Sequence, residues 1–172
     1  MSDQFKTVNA AICEHLSKRY PQIETTFGDG LRIPLGKIDK RRTWIRLGVR
    51  GGSRAFLRAM VVVKASEDDP LPVWMSRLAD AAERADPMTL RQALEPVARA
   101  VQSFDQLELL RPVRFAEDKS WQWGPVVYTY TVDPPSMRAA TRCVADLLEA
   151  IRPLVEAHVP GAAALLGAPE PV

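Results

Sequence analysis

Two histidines and two cysteines are all that this chain of 172 residues contains, and the scarcity removes several kinds of chemistry at the outset. Cys13 and His15 stand two apart on a helical segment, so they point to different faces and cannot share a metal ion there. A zinc site needs more ligands at a recognisable spacing. Two isolated cysteines, Cys13 and Cys143, make no disulfide framework, and they suit a reducing compartment such as the cytoplasm. No run approaches the roughly 18 apolar residues of a membrane span, so no membrane partner is expected. The start MSDQFKTVNAAICEHLSKRY lacks the charged opening and long apolar run of a signal peptide. Walker A, dinucleotide and G-x-S-x-G fingerprints are missing, so no cofactor and no serine nucleophile are expected.

What is present is concentrated in Arg41–Lys64, RRTWIRLGVRGGSRAFLRAMVVVK. Side chains alternate between the two faces of a strand. Thr43, Ile45, Leu47 and Val49 form one row, continued by Ala55, Leu57, Ala59, Val61 and Val63 after Gly51-Gly52-Ser53, a turn. This row reads as core. The opposite row carries Arg42, Trp44, Arg46 and Arg50, then Arg54, Phe56, Arg58 and Lys64 with Met60 and Val62. From Arg32 to Lys64 there are ten Lys/Arg against the single acid Asp39, a local charge of +9 in a chain whose net charge is +2. Such asymmetry attracts an anionic partner, whether nucleic acid, an acidic peptide, or the chain's own acidic helices or a dimer mate.

The remaining elements follow from periodicity. Phe5, Val8, Ile12, Leu16 and Tyr20 line one face of a first helix, capped by Ser2 or Asp3 and stopped by Pro21. Ile23–Phe27 and Leu31–Leu35 read as short strands around Gly28-Asp29-Gly30, and Gly36–Lys40 as a basic loop. Asp69-Pro70, Asp86-Pro87 and Asp133-Pro134 each place an acid before a proline ahead of an apolar segment, which predicts three helix starts. The first helix buries Val73, Trp74, Leu78, Ala81 and Ala82; the second buries Leu90, Leu94, Val97 and Val101, with Pro96 kinking or splitting it. Leu107–Phe115 reads as a strand with Pro112 at an edge or bulge, and Trp121–Val132 as another. The last helix, from Pro134, buries Met137, Ala140, Val144, Leu147, Ile151 and Val155, with a bend at Pro153. The expectation is one α+β domain over residues 1–159, ordered α-ββββ-αα-ββ-α. It has an antiparallel sheet of five to six strands with helices on one face and a loose tail over 160–172.

A nuclease core with magnesium held beside Glu-x-Lys fails at Lys64, because the position two before it is Val62. Glu67, Asp68 and Asp69 follow the strand instead of lying in it, so an active nuclease lacks its ligands. Stacking of bases on Trp44 and Phe56 among arginines remains compatible with nucleic-acid binding.

In its order of elements, and in the sheet patterns of Thr43–Lys64 and Trp121–Val132, the chain resembles the type III secretion chaperones and the related YbjN-like proteins over most of Asp3–Val159. Many such chaperones are acidic, unlike this chain, and the middle segment here reads as two helices instead of one. The resemblance implies a non-enzymatic, often homodimeric protein that holds an extended polypeptide client. Trp, Tyr and Arg are common interface anchors. Trp44, Arg46, Phe56 and Arg58 are therefore the first partner-binding candidates, with Arg42, Arg50 and Arg54 beside them. Trp121, Trp123, Tyr128 and Tyr130 come second. A nucleic-acid accessory module and a nuclease-like domain without activity are the alternatives.

Overall fold

A computed structural model describes residues 3–26, 30–84, 90–101 and 103–167. The chain runs α1 (Asp3–Ser17), β1 (Glu24–Thr25), β2 (Leu31–Ile38), β3 (Arg41–Arg50), β4 (Phe56–Lys64), α2 (Val73–Arg84), α3 (Leu90–Arg99), β5 (Phe104–Phe115), β6 (Ser120–Thr129), α4 (Met137–His158) and α5 (Ala162–Leu166). The strands form one six-stranded sheet in the order β1-β2-β3-β4-β6-β5. All its pairings are antiparallel. The β3–β4 hairpin is therefore central, and its alternation decides what lies on each side. Ile45, Leu57, Ala59 and Val61 are fully buried together with Ile12 of α1 and Val144, Leu147 and Ile151 of α4. The α+β architecture with helices on one face is as expected.

Several local expectations give way to tertiary contacts. Asp69 does not begin a helix. Its carboxylate accepts from the Ser66 N–H and pairs with Arg41 at 3.0 Å, and α2 starts at Val73. Asp133-Pro134 likewise precedes the last helix without capping it; Ser136 does so, its Oγ accepting from the Ala139 N–H at 3.2 Å. Asp86-Pro87 and part of the Gly28–Gly30 turn lie outside the described residues. The basic loop expected at Gly36–Lys40 is mostly strand, closed by a two-residue turn in which Asp39 and Lys40 both have positive φ, 51° and 70°. That left-handed pair matches the twist of the flanking strands. Val73 and Met137, expected inside, are exposed, and Met75 takes the buried position instead. Pro96 and Pro153 sit within α3 and α4 without ending them. Pro112 falls in the register shift between Leu110 and Val113 on the edge strand β5, where the missing N–H costs no ladder bond. Part of the expected tail is the helix α5, which buries Ala162 and Leu166.

Two polar contacts, one buried and one partly buried, tie helices to the rest. β2 pairs with β3 only as far as Leu31↔Leu47. Just beyond, the buried Asn9 side chain of α1 donates from Nδ2 to the Val49 carbonyl and accepts the Val49 N–H on Oδ1, both at 2.9 Å. It takes the role of a missing strand neighbour. Gly48, at φ 116°, gives it room, since a Cβ there would stand 2.6 Å from Asn9 Oδ1. Asn9→Ala leaves that backbone pair without its partner and is expected to cost about 1–3 kcal/mol, read by chemical denaturation.

On α4, Glu149 accepts the Tyr20 hydroxyl at 2.6 Å. Burial first, then this bond to a carboxylate, pushes the phenol up to about 12 from its ordinary 10.0. The unfolded chain ionises first, so stability from this pair is intact below pH 10 and declines between 10 and 12. Tyrosinate absorbance should show a tyrosine ionising near pH 12 that is lost in Tyr20→Phe. The same variant should also weaken the fall in stability across that alkaline window.

Candidate functional site

The face of the sheet away from the helices holds the second row of the hairpin. Its cross-strand neighbours are set by register: Pro34↔Trp44 and Arg32↔Arg46 toward β2, Arg46↔Met60 and Gly48↔Arg58 across the hairpin, and Arg58↔Val126 and Val62↔Gln122 toward β6. Long cationic stems lie over this surface, and Met60 and Val62 are buried although no helix covers them. Trp44 is only 7% exposed, and the guanidinium groups of Arg32 and Arg46 stand 6.0 and 5.9 Å from its ring.

The β5–β6 turn folds onto one end of this face. Asp118 Oδ2 accepts from Arg46 Nη1 at 2.9 Å and from Gln122 Nε2 at 3.1 Å. The Asp118 carbonyl accepts from Lys64 Nζ at 3.0 Å. Between this turn and β2 the surface becomes concave, a cavity of about 540 Å³. Its charged lining is Arg32, Arg42, Arg46, Arg50, Arg58 and Lys64 against Glu117 and Asp118.

The excess of +9 along Arg32–Lys64 is met piecemeal. Glu24 pairs with Arg32, Asp69 with Arg41, Asp118 with Arg46 and Asp105 with Arg54. Three of these acids come from loops and strands distant in sequence, and none from a helix. Arg42, Arg50 and Arg58 form no ion pair among the described residues. Arg58 is the most enclosed of the three. Burial first, then the neighbouring Arg46 and Arg50, push it down to about 9 from 12.5, with Asp118 acting the other way. The group stays charged at neutral pH, and the downward direction reflects a charge held among like charges and partly away from water.

Five of the residues expected to bind a partner, Arg42, Trp44, Arg46, Arg50 and Arg58, thus share one cavity. The others do not. Phe56 and Tyr128 pack together with centroids 6.0 Å apart at the far end of the face. There Arg54 lies 4.7 Å over the Tyr128 ring while paired with Asp105. Trp123 is a core residue on the helix side, opposite Val61. Trp121 lies on that same side, its Nε1 donating to the Asp69 carbonyl at 3.2 Å. Tyr130 follows the end of β6 and is exposed. Sequence reasoning missed Asp118 and Glu117, because nothing in AEDKS says that this turn reaches β3, and it missed Gln122 of β6, whose face is set by the register with β4.

Among the described residues no three His, Cys, Asp or Glu side chains are grouped to hold a metal ion. Cys143 is buried, which pushes its thiol up to about 12, away from the reactive thiolate form. No described helix is long and apolar enough to cross a membrane. No protein-family model matches the chain, and no curated protein or solved structure matches it either.

Trp44 supports the cavity floor from within the fold. Trp44→Ala is expected to destabilise the protein by about 3 kcal/mol or more, as for other buried aromatic truncations, in a denaturant titration. A variant as stable as the parent would instead mark Trp44 as a ring held free for a partner.

Proposed function

We propose that the protein is a binding protein, chaperone-like in its task, that holds an acidic segment of a client polypeptide on the cationic sheet face. The observation that carries the reading is the cavity lined by six cations and two acids, in which three arginines lack an ion pair among the described residues. A concave, predominantly cationic surface focuses the field on an approaching anion. The chain's own Asp118 carboxylate, held by Arg46, illustrates the kind of group the surface accommodates. A nucleic-acid partner is less well served. Base stacking needs open aromatic faces, whereas Trp44 is buried and Phe56 and Tyr128 are packed on each other.

The test is fluorescence anisotropy with three labelled probes: a glutamate-rich peptide, a lysine-rich peptide of equal length and a single-stranded oligonucleotide. The glutamate-rich peptide is expected to bind, the lysine-rich one not. Arg42→Ala and Arg50→Ala should each weaken the binding about tenfold, the scale of a lost charge-assisted hydrogen bond. An oligonucleotide that binds more tightly than the peptide, with a steep loss on adding salt, would replace this reading with the nucleic-acid one.

A further inference from the structure

We infer that Arg58 is the anchor of a carboxylate seat in the cavity, a second seat beside the one that Asp118 fills on Arg46. The inference deepens the polypeptide-binding reading by naming the group of the client that is gripped, and it can fail separately from it.

Three observations carry it. Arg58 stands on the central strand β4, where its cross-strand neighbours are Gly48 and Val126. Neither side chain can accept a hydrogen bond, so neither cross-strand neighbour supplies a counter-ion. Among the described residues Arg58 forms no ion pair or hydrogen bond, and its guanidinium instead stands 5.5 Å from the centroid of an apolar ring, Phe56, with Asp118 acting on it without pairing. It nevertheless lines a cavity of about 540 Å³ with Arg42 and Arg50, which are exposed and also without an ion pair among the described residues. A guanidinium offers a planar fork that matches a carboxylate with two parallel hydrogen bonds. Every other hairpin arginine that is neither Arg42 nor Arg50 has received an acid from elsewhere in the chain. Among the described residues, Arg58 is the hairpin arginine that combines partial enclosure with the lack of an ion pair. That arrangement costs stability in the free protein and is relieved by an incoming anion.

Asp118 sets how strongly the seat attracts. Its carboxylate lies on the adjacent Arg46 at 2.9 Å and lowers the positive potential that an incoming carboxylate meets. The turn therefore competes with the client for the same face.

The carboxylate can arrive on a free small molecule or on a peptide side chain, and the experiment separates the two. Calorimetric titrations use citrate, inorganic phosphate and a glutamate-rich peptide with neutralised ends, against the parent protein, Arg58→Met, Arg58→Lys and Asp118→Asn. Citrate and the peptide are expected to bind the parent and to bind Arg58→Met at least tenfold more weakly. Arg58→Lys should be intermediate, because the charge remains and the fork is lost. Asp118→Asn should bind several-fold more tightly. In thermal melts without ligand, Arg58→Met should equal or exceed the parent, as expected when a residue kept for binding is removed. If Arg58→Met does not fold, Arg58→Lys decides.

Peptide and citrate binding that is unchanged in the Arg58 variants would overturn the seat while leaving the polypeptide reading intact. Citrate binding that depends on Arg58, without peptide binding, would keep the seat and overturn the polypeptide reading. Phosphate binding through Arg58 with no response to either carboxylate probe would overturn the assignment of the seat to carboxylates, as would silence from all three probes.

Discussion

Crowding of like charge on the β3–β4 hairpin is the constraint around which the molecule is arranged. Burying the row of Ile45, Leu47, Leu57 and Val61 beneath the helices forces the alternate row, with its arginines, onto the other face. Strands stand about 5 Å apart in a sheet, so guanidinium groups there repel one another unless acids intervene. The intervening acids come from separate places: β1, the loop before α2, the start of β5 and the β5–β6 turn. Each pair is partly exposed and contributes modestly alone. Together they orient the segments that carry them, and the turn bearing Asp118 is held down by Arg46, Gln122 and Lys64 at once.

The same arrangement explains why the open face is concave. A two-layer α+β domain covers one side of its sheet with helices, and the other side is left to side chains. Here the cationic stems and Trp44 are thick enough to bury Met60 and Val62, and the β5–β6 turn forms a wall. The cavity lies between them. Two of the four ion pairs, Arg32–Glu24 and Arg46–Asp118, take up part of its charge, so binding capacity and internal neutralisation are two outcomes of one distribution. Arg46 and Arg58 share a face within the hairpin, yet among the described residues Arg46 has an ion pair and Arg58 has none.

Much of the fold was legible because it rests on short-range periodicity. The alternation from Thr43 to Val63 identified the buried row residue by residue. The three- and four-residue spacing of Ala140, Val144, Leu147, Ile151 and Val155 identified the face of α4, and every one of these is buried. Pro112 announced its edge or bulge because a missing N–H is a local property. The acid–proline pairs misled, because an Asp before a proline suits a helix cap and a loop tether equally well. Asp69 found a stronger use on Arg41 and the Ser66 N–H. The tryptophans of β6 were open to either reading, and the register with β4 turned both to the helix side.

By itself, the sequence determined that one strand row is core and the other cationic, since period two allows no other division of these residues. It also determined that the positive charge is concentrated in a single hairpin. Only the tertiary structure decided which cations keep their charge uncompensated. That depends on strand order, which sets β6 beside β4 and so carries Asp118 to Arg46 across 72 residues of chain. An ion pair is made between groups a few ångströms apart in space, and no local pattern encodes that distance.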